Sequence, residues 1–395
     1  MVSCSIQLPK SALVTVIQYW TTESLSLGSR HLRQCIRLST VSRKFKSSTL
    51  LALKTSKLNI HGHQPLPTSF CLFLRHFARA YLSLSDLPYQ ELPLHTVVHL
   101  FVTNLKVTTI TSQYFVSVPN LHSLKLRTRS NPSATFHIES LPKAVKALDI
   151  RHPHIKFAPF LKHLRKLRMQ TSSRSCFYQL KNLKELSINN SNQYFDTFKL
   201  SRLVHLKTLC LEFCSNATLN LACCLTLKSL VVSNCESLEV MHFPLSLSDL
   251  NVSYTPKLLS LVNFSQLVDL SNLSLCYSPF VEKLSSSVFP LFSKLQKLTF
   301  NQLEVHNLNW IPNLPSLVEL SFTGWSEVNC VKNLNRMPKL QLLDMKEARS
   351  PVFKGVFTGI SHVCLWSFKT EKFFLHHFPN LICYEYGKKL CLLSG

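Results

Sequence analysis

Three histidine pairs are the first residues whose types and spacing could do chemistry: His61-Gly-His63, His152-Pro-His154 and His376-His377. Two imidazoles make half of a zinc site, but no cysteine or carboxylate accompanies them at ligand spacing, and no H-E-x-x-H occurs. The fourteen cysteines form no C-x-x-C pair, only the adjacent Cys223-Cys224, so neither a zinc nor a disulfide framework is expected. They read as reduced, small, buried hydrophobes, and no local signature joins one to a histidine as a nucleophile. Seven glycines are too scattered for a phosphate-cradling loop, which needs several within a few residues so that backbone can reach the ligand. Twenty acidic residues give little material for carboxylate cages or paired glycosidase acids. The expectation is a protein that is not an enzyme and uses neither cofactor nor metal.

The cations are more expressive. Net charge is +24, and residues 121–185 hold fourteen basic against three acidic residues. Lys146, Arg165, Lys184, Lys207 and Lys228 recur at one place in five successive repeats, directly after the leading aliphatic residue of a short phrase. Lys125, Arg127, Arg151, Lys166 and Arg168 alternate with aliphatic residues inside that phrase. Stacked, the first set makes a ladder along a sheet edge and the second a basic patch on the concave sheet face. Such a field fits an acidic or phosphorylated polypeptide, because arginine grips phosphate through paired, charge-assisted bonds. It also fits a nucleic-acid backbone, although no aromatic residues interleave for base stacking. Its plainest use is to keep the edge solvated.

The elements that must position these cations follow from the phrase itself, L-x-x-L-x-aliphatic. From residue 121 it recurs as LHSLKL, VKALDI, LRKLRM, LKELSI, LKTLCL, LKSLVV, LSDLNV, LSNLSL, LQKLTF, LVELSF and LQLLDM. Looser copies start at Thr55, Arg79, Val97, Ile360 and Leu381, giving sixteen starts with a mean period of about 21.7 residues and steps of 18 to 25. The last four residues alternate in and out with period two, as a half-buried strand does. About fifteen residues then return the chain to the next start, so successive strands must be parallel and joined by right-handed crossovers. Thirty-one of the 71 leucines fall within these sixteen phrases.

On these residues the sequence resembles the leucine-rich repeat family over residues 50–395. The family places Asn or Cys three positions after the last aliphatic residue of the strand. Here Ser172, Ser191, Cys214, Cys235, Thr255 and Ser278 stand there, while Arg129, Pro153, Leu303 and Trp325 depart from the pattern. The resemblance implies a curved parallel sheet. At ~4.8 Å per strand, sixteen coils give roughly 75 Å of arc.

Residues 1–48 carry a different signature. Leu8-Pro9 precedes Leu13, Val16, Ile17 and Trp20 on one helical face, and a second apolar set leads into Val41-Ser42-Arg43-Lys44-Phe45. This resembles the F-box, which implies that Leu8, Pro9, Leu13, Val16, Ile17, Val41 and Ser42 face a Skp-type adaptor bound to a cullin complex. Ser11 replaces the usual glutamate. The same helices also suit a cap over the first coil.

The expected architecture is therefore α/β: a helical F-box-like domain over 1–48 and a solenoid of about sixteen coils over 49–395. The expected role is substrate recognition in an SCF-type ubiquitin ligase, with a non-ligase interaction scaffold and a nucleic-acid-associated protein as alternatives. No secretory signal or membrane span is expected, which points to the cytoplasm or nucleus.

Overall fold

The computed structural model describes residues 3–7, 57–62 and 79–84. From residue 97 it describes most of the chain to 392, leaving out chiefly 129–134, 171–176, 279–291, 302–312, 324–333, 346–354 and 366–375. The chain forms two compact units, Met1–Leu183 and Lys184–Gly395.

In the first unit β1 (Ser3–Gln7) lies antiparallel to β2 (Lys57–Gly62). Then β3 (Arg79–Leu84), β4 (Val97–Leu105), β6 (Ser123–Thr128), β8 (Ala147–Arg151) and β10 (Lys166–Gln170) add in parallel. Their returns carry β5 (Thr109–Ile110), β7 (Phe136–Ile138) and β9 (Ile155–Phe157), which form a small parallel sheet of their own. The second unit repeats the plan with parallel front strands β11 (Glu185–Gln193), β12 (Thr208–Cys214), β14 (Ser229–Ser233), β16 (Asp249–Ser253) and β18 (Asn272–Cys276). These are followed by β19 (Lys297–Asn301), β20 (Glu319–Thr323), β21 (Leu342–Met345), β22 (His362–Leu365) and β23 (Cys383–Tyr386). The antiparallel β24 (Lys389–Leu392) pairs with β23. Its returns carry β13 (Thr218–Asn220), β15 (Val240–His242) and β17 (Ser260–Val262).

Register follows hydrophobicity. Leu209, Leu230, Leu250, Leu273, Leu298 and Leu320 stand opposite one another, and so do Leu211, Val232, Val252, Leu275, Phe300 and Phe322. All are buried. A slip of one residue would turn both rows to solvent, so the alternation fixes the pairing. The leading aliphatic residue is buried too and closes a tight turn: Leu206 N–H donates to the Leu203 carbonyl at 2.9 Å, and Leu227 N–H to that of Cys224 at 3.0 Å.

The result is a parallel β-solenoid of leucine-rich-repeat type, with one departure from expectation. Turns in which a front strand and a regular return are both described number about nine, not sixteen. Beyond Cys276 the front strands continue, but the returns at 279–291, 302–312 and 324–333 lie outside the described residues. The described returns are short strands and 3-10 turns, such as Phe177–Gln179 and Phe264–Gln266, rather than α-helices. At about 20 residues per coil, little chain is left for a longer element.

The helical domain expected over 1–48 lies almost wholly outside the described residues, including Leu8, Pro9, Leu13, Val16, Ile17, Val41 and Ser42. Its start differs: Ser3–Gln7 is a strand, paired Ser3 with His61 through Gln7 with Lys57. Among the described residues no helix is long and apolar enough to cross a membrane.

Candidate functional site

The front face is built from the residues that alternate with the buried rows. In the first unit, register sets Lys125, Asp149 and Arg168 side by side across β6, β8 and β10, with Arg127, Arg151 and Gln170 as the next row. Four cations thus surround one carboxylate. Arg127 is largely covered and donates to both Asp149 oxygens, at 3.0 and 3.3 Å. Lys125 Nζ lies 3.8 Å from Asp149 Oδ2 and 4.8 Å from the centre of the Phe101 ring, and Arg127 lies 5.7 Å from that ring. Phe101 is therefore a platform beneath two cations, an aromatic contribution that the sequence reading did not place at this patch. Arg151 and Arg168 are exposed, and among the described residues their side chains have no hydrogen-bonding or ionic partner. Lys166 is exposed beside them.

The edge ladder forms within each unit. Arg165 N–H donates to the Lys146 carbonyl at 2.8 Å; Lys207 N–H to that of Lys184 and Lys228 N–H to that of Lys207, both at 2.8 Å. Their side chains are exposed. Lys146 Nζ turns back to the Lys143 carbonyl at 2.9 Å, and Arg165 reaches the Asn182 carbonyl at 3.1 Å. Burial, then the positive charges of Lys146 and Lys143, push the His163 imidazole below its ordinary titration range.

In the second unit the front face has the opposite character: Glu185, Ser187, Asn189, Thr208, Glu212, Ser229, Ser233, Asp249, Asn251, Ser253 and Asn272. At its far end a left-handed residue stands at or just beyond the end of the strand in four successive coils: Phe213 (φ 56°), Asn234 (54°), Tyr254 (52°) and Tyr277 (47°). A left-handed non-glycine residue costs roughly 1–2 kcal/mol, and aromatic residues rarely accept it. The next residue in each coil explains the turn. Cys235 Sγ donates back to the Ser233 carbonyl at 3.3 Å and Ser278 Oγ to that of Cys276 at 3.1 Å, while Thr255 and Ser278 hydroxyls meet at 2.6 Å. Cys214, Cys235, Thr255 and Ser278, which stand where the leucine-rich repeats that the sequence resembles place Asn or Cys, are all buried. A hydrogen bond to Cys235, then burial, raises the Cys214 thiol well above its ordinary range, and the same bond lowers Cys235. Ser172, Arg129, Pro153, Leu303 and Trp325 lie outside the described residues.

No family model and no curated protein matches the chain. Among solved structures it is similar to the crystal structure of a TLR13–ssRNA13 complex, with a TM-score of 0.37 and 16% identity, over 78% of this chain and 60% of that one. The chain thus spans less than two thirds of that neighbour's length. The fold assignment rests on the strand pairings and buried repeat rows.

Sequence reasoning missed Phe101, the tie of Arg127 to Asp149, and the left-handed row. A signal for the last was present: an aromatic or Asn before each Cys/Thr/Ser, in LEFC, VSNC, VSYT and LCYS. Among the described residues no group of three His, Cys, Asp or Glu could hold a metal.

Proposed function

We propose that the chain is a protein-binding solenoid whose first unit takes an acidic or phosphorylated polypeptide segment on its front face. The observation that carries this is the charge arrangement of β6, β8 and β10: five cations, one carboxylate, and two exposed arginines without partners among the described residues. A phosphate at this patch would find guanidinium groups able to donate paired bonds. Phe101 supports a peptide rather than a nucleobase, because cations already lie over its ring.

The finer reading is that the chain is a substrate receptor of an SCF-type ubiquitin ligase, working in the cytoplasm or nucleus without catalytic residues of its own. The resemblance of residues 8–45 to the F-box supports it. Holding a substrate near a charged enzyme is catalysis by proximity.

Two experiments test these statements. Full-length chain should bind a fluorescein-labelled Glu-rich phosphopeptide at low salt and lose about tenfold in affinity with Arg151→Glu plus Arg168→Glu. No binding, or binding of single-stranded poly(U) in its place with a steep salt dependence, would overturn the polypeptide reading. Co-purification with a Skp-type adaptor, lost in Leu8→Ala/Pro9→Ala, is expected of a ligase receptor. An intact chain that ignores the adaptor is not one.

A further inference from the structure

The front-face patch of the first unit leaves the lysine ladder of the second unit unused, and an apolar row accompanies that ladder. Val204, Leu225, Leu245 and Val268 are 56%, 75%, 53% and 52% exposed. Each is the second residue of a tight turn closed by the leading leucine of its coil. Leu206 N–H donates to the Leu203 carbonyl at 2.9 Å, Leu227 to Cys224 at 3.0 Å, Leu247 to Pro244 at 3.3 Å and Leu270 to Leu267 at 3.0 Å. One turn used four times in succession turns its second side chain outward at the same place in each coil. Neighbouring turns are also tied together. Thr226 Oγ1 donates to the Val204 carbonyl at 3.1 Å and to that of Leu206 at 2.9 Å, and Ser246 Oγ to that of Leu227 at 2.7 Å.

The turn itself does not ask for aliphatic residues. Later in the same unit the identical turn carries Ser293, Pro315, Pro338 and Pro379 in that place, and proline suits the second position of such a turn. Single exposed aliphatic residues are ordinary, but four at one position of consecutive coils form a continuous stripe that water must cover.

Charge and spacing select what covers it. Lys184, Lys207 and Lys228 follow the leading leucines and are exposed, and their backbones are linked coil to coil. Among the described residues no hydrogen bond or ion pair engages their ammonium groups. The carboxylate beside Val268, Asp269, is bonded by Lys294 at 2.5 Å and is 47% exposed. An anionic lipid surface laid on all four aliphatic residues would press against that carboxylate, whereas a polypeptide can place its acids beside the lysines alone. The stripe spans three strand spacings, about 14 Å. One face of an α-helix repeats every ~5.4 Å, so three turns cover about 16 Å and stay within side-chain reach of the row. One face of an extended strand repeats every ~6.7 Å and runs to about 20 Å, more than a full coil out of step.

We infer that the stripe of Val204, Leu225, Leu245 and Val268 docks an amphipathic α-helix of a partner protein, its aliphatic face on the stripe and carboxylates along one flank toward Lys184, Lys207 and Lys228. The charged flank fixes which way the helix runs along the row. This site is separate from the patch on the first unit.

The test uses full-length chain and a fluorescein-labelled, alanine-based peptide of about five helical turns, with Leu at i, i+4, i+7 and i+11 and Glu directly after each Leu. Anisotropy should show binding at physiological salt. Replacing the Glu residues by Lys, or shuffling the Leu residues around the helix at constant composition, should weaken it at least about tenfold. Leu225→Ser plus Leu245→Ser should cost about tenfold, and Lys207→Glu plus Lys228→Glu a similar factor, at unchanged melting temperature. Arg151→Glu plus Arg168→Glu should leave binding intact; a loss there would overturn the proposal by placing the peptide on the first unit's patch. Equal binding of the shuffled peptide overturns it, as does equal affinity of wild type and the Leu225/Leu245 variant. Sedimentation with phosphatidylserine vesicles or self-association of the chain, in place of peptide binding and abolished by that variant, would overturn it in favour of a lipid surface or a second copy.

Discussion

Arg127 on β6 grips Asp149 on β8 with both guanidinium arms, and the grip is diagonal: register sets Arg127 opposite Arg151 and Lys125 opposite Asp149. One carboxylate therefore steadies the most covered arginine of the patch while holding Lys125 at its other side. Removing it should separate stability from affinity. Asp149→Ala is expected to lower unfolding stability by about 1 kcal/mol, the modest value of a partly solvated pair, and to raise phosphopeptide affinity several-fold. Urea denaturation and fluorescence anisotropy read the two effects, and a fall in affinity would mean that Asp149 itself contacts the ligand.

His152 predicts an acid-sensitive first unit. It is 3% exposed, packs 5.5 Å from the Phe136 ring, and engages the backbone of His154 through Nδ1; its buried Nε2 has no partner among the described residues. Burial is the main cause holding its imidazole below its ordinary value. The unfolded chain then binds a proton first. Stability is therefore full above about pH 6.5 and falls as pH drops below that value toward the lower folded one, with a slope of at most about 1.4 kcal/mol per pH unit. His163 shifts in the same direction. His152→Asn keeps an acceptor near Nδ1 and does not titrate, so the slope between pH 7.5 and 5 should shrink. An unchanged slope would remove His152 from the account.

The buried rows predict a sharp contrast between neighbours on one strand. Leu230→Ala, at a fully buried position, should cost about 2–5 kcal/mol, whereas Ser229→Ala on the front face should stay within about 0.5 kcal/mol. Equilibrium unfolding of both variants decides it. Equal losses would deny that β14 has a buried and an open side.

Phe213→Gly predicts a substitution that removes a large side chain without harm. The new residue relieves a left-handed backbone worth roughly 1–2 kcal/mol and gives back part of that in unfolded-chain entropy, leaving stability equal or up to about 1 kcal/mol higher. The same change at Val232, buried in extended backbone, should be severely destabilising. A loss at Phe213 as large as that at Val232 would show that Phe213 is packed rather than presented.

The front strands were legible because period-two burial is written directly into six residues, and the edge ladder because one residue per phrase follows the leading aliphatic. The basic patch was legible by the same alternation. What sequence hid is which side chains meet across neighbouring strands and how the turns beyond them are held. Phe101 reaches Lys125 from a neighbouring strand 24 positions earlier, and Asp149 reads as one acid among many bases until β6 and β8 are paired. The left-handed angle of Tyr254 is set by the hydrogen bond of the next residue and by a carbonyl in the following coil, and neither leaves a hydrophobic period. The F-box resemblance falls on residues outside those described, so its reading rests on Leu8, Pro9 and their companions as sequence.

The repeats differ in length by several residues, from 18 to 25, yet Leu209, Leu230, Leu250 and Leu273 stand opposite one another without slippage. Length variation is taken up in the returns. The front therefore behaves as a graduated rule whose marks keep their interval whatever is added behind it. A partner that reads side chains at multiples of one strand spacing would survive insertions on the back of the coils, and selection could remodel that back without recalibrating what the front measures.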